Sequence, residues 1–138
     1  VFDHDIQAGL LHALLEDLMN QPATIQAISK LSGVTGIHRF VGRIMLLSSE
    51  SGVEKWHRDS EAIHQRRLGF SLNLSQQPFQ GGALAIRICG QPNTIQKITI
   101  PHIGDAALFR IADNFEHRAL PILGEAPRVA FVGWFTEL

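Results

Sequence analysis

The chain predicts an α+β fold that is mainly β, an antiparallel jelly roll or barrel with its helices packed on the outside. Three observations carry this. Leucines recur at helical spacing only near the start of the chain. Six runs rich in β-branched and apolar residues follow one another without an intervening helical pattern. The separators, such as 48–52, 76–82, 90–93 and 104–105, are rich in Gly, Asn, Gln, Ser and Asp, which make turns.

Leu10, Leu11, Leu14, Leu15 and Leu18 define a first amphipathic helix, with Asp3 or Asp5 as its cap and Asn20, Gln21 and Pro22 as its end. A second short helix is expected over 24–31, closed by Gly33. Strands are expected over 39–47, 67–75, 83–88, 95–100, 106–111 and 128–135. Within the second of these, Gly69, Ser71 and Asn73 alternate with Leu68, Phe70, Leu72 and Leu74. The small polar face is expected to line a pocket and the apolar face to pack outward. With no repeat, low-complexity tract or linker, one domain is expected across 1–138, a helical buttress over 1–33 and a β core over 39–136.

Twelve basic side chains against thirteen acidic ones give a formal charge of −1, so neither nucleic acid nor an anionic membrane is indicated as a partner. No apolar run is long enough for a membrane span, and no signal peptide pattern opens the chain. A single cysteine, Cys89, cannot form an internal disulfide. A cytoplasmic location is the expectation. No nucleophile elbow, P-loop or GxGxxG run is present to support hydrolase or nucleotide chemistry.

The chemistry concentrates in His57-Arg58-Asp59, with His117 sixty positions later and Arg128 eleven beyond that. On extended backbone His57 and Asp59 share a side and Arg58 faces away. Two imidazoles and a carboxylate can cap one face of an octahedral metal and leave the other open, the ligand set favoured by oxygen-activating non-haem Fe(II). His64, seven residues after His57, reads as an exposed loop residue, and His4, His12, His38 and His102 show no ligand spacing.

Around this triad, residues 42–135 resemble the iron- and 2-oxoglutarate-dependent dioxygenases, most closely the prolyl 4-hydroxylase-like branch. The resemblance is carried by Trp56-His57-Arg58-Asp59, by Arg66-Arg67-Leu68-Gly69-Phe70-Ser71-Leu72-Asn73-Leu74-Ser75, by Gly81-Gly82 followed by Ala83-Leu84-Ala85-Ile86, by Gly104-Asp105-Ala106-Ala107-Leu108-Phe109, and by His117-Arg118-Ala119-Leu120-Pro121 leading to Arg128 and Trp134. It implies a double-stranded β-helix, a jelly-roll variant. It implies iron ligands at His57, Asp59 and His117, and Arg128 as the grip on the distal carboxylate of 2-oxoglutarate. A guanidinium suits that task because its rigid fork donates two parallel hydrogen bonds. Further cosubstrate positions fall on Leu84, Asn73 and Trp134.

The sequence departs from the branch at Asn73, where a tyrosine is common, and at Val132, where a hydroxyl residue is common; the chain contains no tyrosine. The resemblance also implies Fe(II) and 2-oxoglutarate as cofactors, with ascorbate as a further one, and molecular oxygen with a peptide or small molecule as partners. The reaction implied is C–H hydroxylation, with a slight tilt toward peptidyl substrates. A cupin-like metalloenzyme without 2-oxoglutarate, or a non-catalytic metal-binding module, would use the same ligands.

Overall fold

The computed structural model describes residues 5–59 and 65–137, with side chains from residue 9 onward. Asp3, His4 and His64 lie outside the described residues. Two helices, α1 (Asp5–Met19) and α2 (Pro22–Ser32), come first. Pro22 suits the first turn of α2, where its missing N–H is not needed. Gly33 ends that helix at φ 73°, its N–H donating to the Ser29 carbonyl. Nine strands follow among the described residues: β1 (Arg39–Leu47), β2 (Arg66–Asn73), β3 (Gln80–Gly81), β4 (Leu84–Ile88), β5 (Gln96–Ile98), β6 (Ala106–Arg110), β7 (Phe115–Ala119), β8 (Ile122–Leu123) and β9 (Arg128–Thr136).

The strands pair antiparallel. The larger sheet has the order β1-β9-β2-β6, a second has the order β5-β4-β7, and β3 pairs with β8. Alternation along β9 divides its side chains between two environments. Phe131 and Phe135 join Phe40, Leu68 and Phe70 in a buried core with Met19 of α1, and Leu15, Ile25 and Ile28 of the helices pack against it. Arg128, Val132 and Trp134 line a cavity on the other side. Each fully buried phenylalanine contributes roughly 2–3 kcal/mol. Their rings meet edge-on or tilted, as Phe40 does with Phe70 and Phe135. The helices therefore pack against one face of the larger sheet.

The rotation of α1 differs from that prediction. Leu10, Leu11, Leu14 and Leu18 are exposed, while Leu15 and Met19 face the core. Polar anchors decide this. Asn20 donates to the Phe40 carbonyl and accepts from the Phe40 N–H, acting as a strand partner for β1, and His12 Nε2 lies 2.6 Å from the Gly42 carbonyl. Those bonds hold the leucine stripe away from a core that the phenylalanines already fill.

The strand readings over 39–47, 67–75, 83–88, 95–100, 106–111 and 128–135 meet β1, β2, β4, β5, β6 and β9. Strands β3, β7 and β8 escaped them. The composition of β7, Phe-Glu-His-Arg-Ala, is half polar, and β3 and β8 have two residues each, so pairing rather than hydrophobicity makes them strands. No described helix is long and apolar enough to cross a membrane.

Candidate metal centre

His117 sits in the middle of β7 opposite Ile86 of β4, and on its other side it forms an isolated bridge with His57. The His57 N–H donates to the His117 carbonyl at 3.1 Å and the His117 N–H donates back at 3.0 Å. Backbone pairing thus places two imidazoles sixty residues apart side by side, their ring centroids 4.4 Å apart. Asp59 follows His57 on the same short segment. One ligand atom from each of His57, Asp59 and His117 lies within 4.8 Å of the others, a group able to hold a metal ion.

Neighbours orient every member. His57 Nδ1 is 2.8 Å from the Lys55 carbonyl and 3.5 Å from Glu54 Oε1. Since a carbonyl only accepts, Nδ1 carries the proton and Nε2 is left as the ligand atom. His117 is buried with the Phe109 ring tilted against it, centroids 4.8 Å apart. A Cβ on Gly69 would land on that Phe109 ring, so this glycine makes the room the ring occupies. Of the small residues of β2 expected to line a pocket, Ser71 does so, while the Phe109 ring fills the space at Gly69.

Asp59 Oδ2 accepts from Trp134 Nε1 at 2.9 Å and lies 3.0 Å from His117 Nε2; Oδ1 lies 3.6 Å from His57 Nε2 and 3.8 Å from Arg66 Nη1. Burial alone would raise this carboxyl's pKa. The hydrogen bonds from His117 and Trp134 and the charge of both imidazoles outweigh burial and hold it at about 2. The carboxylate is ionised at neutral pH, which a metal ligand requires.

The cavity in front of these residues has a volume of about 390 Å³. Leu84, Arg128 and Trp134 line it, together with Ser71, Val132 and Glu54. Arg128 is 5% exposed, and its Nη1 and Nη2 donate to the Gly82 carbonyl and to Ser71 Oγ. Its Nε is buried with no acceptor. Burial presses the guanidinium's pKa down and the charge of Glu54 opposes this. An orphaned N–H on a buried cation suits an arriving carboxylate.

Asn73 is placed elsewhere. It is fully buried, its amide donates to the Ile100 carbonyl and its oxygen accepts from the Ser75 N–H, and it is not among the residues lining the cavity. Of the seven sequence-derived positions, six meet around one cavity and Asn73 serves the end of β2. Sequence reasoning passed over Glu54, Arg43, Arg66 and Phe109 as cavity residues. The alternation Arg43, Met45, Leu47 along β1 was the available signal for the first arginine.

The fold has counterparts among solved structures. A Burkholderia pseudomallei oxidoreductase of the 2OG-Fe(II) oxygenase family superposes with a TM-score of 0.69 at 16% identity, covering 91% of this chain and 56% of that one. A Pseudomonas putida prolyl-4-hydroxylase gives 0.63 at 22% identity, covering 83% and 60%. A Trichoplax adhaerens prolyl hydroxylase, solved with a hypoxia inducible factor oxygen degradation domain peptide fragment, gives 0.55 at 18%, covering 86% and 60%. The chain thus spans 60% or less of the length of these structures. No curated protein sequence matches it. The family model for the 2OG-Fe(II) oxygenase superfamily matches residues 44–136, a stretch that holds both halves of the His57–His117 bridge and Arg128. That match covers most of the chain, which accordingly belongs to the 2OG-Fe(II) oxygenase superfamily.

Proposed function

We propose that this chain is a single-domain Fe(II)- and 2-oxoglutarate-dependent dioxygenase that hydroxylates a C–H bond, with a peptidyl, proline-like side chain as the favoured target. Its two sheets would form the double-stranded β-helix. The observation that carries this reading is the cavity in which three ligand atoms converge within 4.8 Å and Arg128 presents an unsatisfied Nε.

His57, Asp59 and His117 would hold iron, and Arg128 the distal carboxylate of 2-oxoglutarate. Iron and cosubstrate, when bound, supply oxygen activation: oxygen and 2-oxoglutarate yield succinate and carbon dioxide, and one oxygen atom becomes the hydroxyl on the substrate carbon. The protein's residues do the rest. Lys55 and Glu54 fix the His57 tautomer, Trp134 donates to Asp59 Oδ2, and Leu84 and Val132 supply apolar wall beside the reacting region. A divalent metal, the Asp59 carboxylate, a dianionic cosubstrate and Arg128 sum to zero charge, so the assembled centre buries no net charge. The peptide bound to the Trichoplax prolyl hydroxylase supports a peptidyl substrate.

The test is an anaerobic titration of 2-oxoglutarate into Fe(II)-loaded protein, read by the visible charge-transfer band of the chelated keto acid. A saturable band lost in His57→Ala is expected, as is weaker saturation in Arg128→Ala. Iron binding without any band would overturn the reading in favour of a cupin-like enzyme. Turnover of proline-containing peptides, seen as a +16 mass shift, tests the substrate half.

A further inference from the structure

The cavity wall carries more positive charge than the proposed centre uses. Beyond Asp59 and Arg128 it contains two arginines, Arg43 and Arg66, and one further carboxylate, Glu54. Glu54 is committed to the histidine side, 3.5 Å from His57 Nδ1 and accepting from the Ala119 N–H at 3.4 Å. Both arginines line the same cavity as Trp134. Arg66, from the start of β2, stacks its guanidinium over the Trp134 ring at 3.6 Å and reaches Asp59 at 3.8 Å. Arg43 projects from β1 opposite Val132, beside the Val41–Trp134 pair.

The two cations differ in how far they are satisfied. Arg66 is mostly buried and shares its charge with Asp59 and the indole face. The Arg43 side chain is exposed, and no hydrogen bond or ion pair joins it to another described residue. Two arginines thus stand on the wall of one cavity. Like charges held together over a ligand cavity repel unless an anion sits between them. With the centre's own charges balanced and Glu54 placed beside His57, an anionic substrate would offset the remaining positive charge.

Resting on the dioxygenase reading above, we propose that Arg43, with Arg66 beside it, forms a carboxylate-binding subsite at the Trp134 side of the cavity. The preferred substrate is then an acidic peptide with an Asp or Glu side chain adjacent to the residue that is hydroxylated. Arg43 is the specificity-determining residue: its fork is unoccupied and it lies on an edge strand, open to an approaching chain. Electrostatic recognition of this kind selects among substrates and weakens with salt.

The experiment uses anaerobic protein loaded with Fe(II) and 2-oxoglutarate, titrated with N-acetylated, C-amidated pentapeptides centred on proline. Each carries Glu, Gln or Lys before or after the proline, and the Gln peptides are also made with a free C-terminal carboxylate. Binding is read by tryptophan fluorescence and, independently, by anisotropy of labelled peptides. The Glu peptide is expected to bind about tenfold tighter than Gln, with Lys weakest and the difference shrinking in salt. Arg43→Gln should erase the preference and Arg43→Glu should reverse it toward Lys, while the 2-oxoglutarate band stays unchanged in both.

Equal binding of Glu, Gln and Lys peptides, or no saturable binding of any, overturns the proposal. So does a gain from the free C-terminus without a gain from Glu, which would assign the subsite to chain-end carboxylates. A Glu preference that depends on Arg43 in protein lacking the 2-oxoglutarate band would uphold the subsite and remove the dioxygenase reading instead.

Discussion

Asn73 and Asp59 illustrate how neighbours assign a polar side chain its task. Both amide ends of Asn73 are spent on main chain, at Ile100 and Ser75, within a fully buried site. Asn73→Ala would strand a buried carbonyl and a buried N–H, at about 1–3 kcal/mol. We expect the urea midpoint to fall accordingly while 2-oxoglutarate affinity is unchanged; a large loss of affinity with intact stability would return Asn73 to the cosubstrate site. Asp59 makes the complementary case for pH. Its folded pKa of about 2 lies below the ordinary 3.8, so the metal-free protein gains stability from it above pH 4 and loses that gain as pH falls toward 2. The gain is roughly 2 kcal/mol. Trp134→Phe removes one donor to the carboxylate, and its acid-unfolding midpoint, followed by circular dichroism, should move to higher pH.

At the scale of elements, the centre depends on contacts between strands that carry no ligand. Gly69 of β2 faces Phe109 of β6, and the Phe109 ring in turn abuts His117 of β7. Gly69→Ala would push the ring aside, and overpacking of that kind costs about 1–3 kcal/mol. The consequence should travel one step further: metal affinity, measured by calorimetry, falls along with stability although no ligand was changed. Unchanged metal affinity in a folded Gly69→Ala variant would show that Phe109 does not hold His117. The helical hairpin offers a contrast, because its Asn20 and His12 anchors grip the main chain of β1 on the helix side of the larger sheet. Stability rather than chemistry rests on them.

For the molecule as a whole, the proposed ligands belong to two distant parts of the chain that only the native fold unites, so metal binding there would be linked to folding. At a metal concentration one hundred times Kd the folded state gains about 2.7 kcal/mol. A rise in Tm on adding Mn(II) is expected in the unaltered protein and not in His117→Ala; equal rises in both would place the metal elsewhere. The sequence by itself determined the helices-then-strands order, the shared segment of His57 and Asp59, and the candidacy of His117 and Arg128. The element order follows from local periodicity, and the candidacies from what each side chain can ligate together with the resemblance to the dioxygenases. Tertiary structure alone decided that β7 is a strand, that His57 and His117 exchange backbone hydrogen bonds, that α1 turns four leucines outward, and that Asn73 leaves the cavity while Arg43 and Arg66 enter it. Those outcomes depend on pairing register and on competition for buried hydrogen-bond partners, and both arise between residues far apart in the chain.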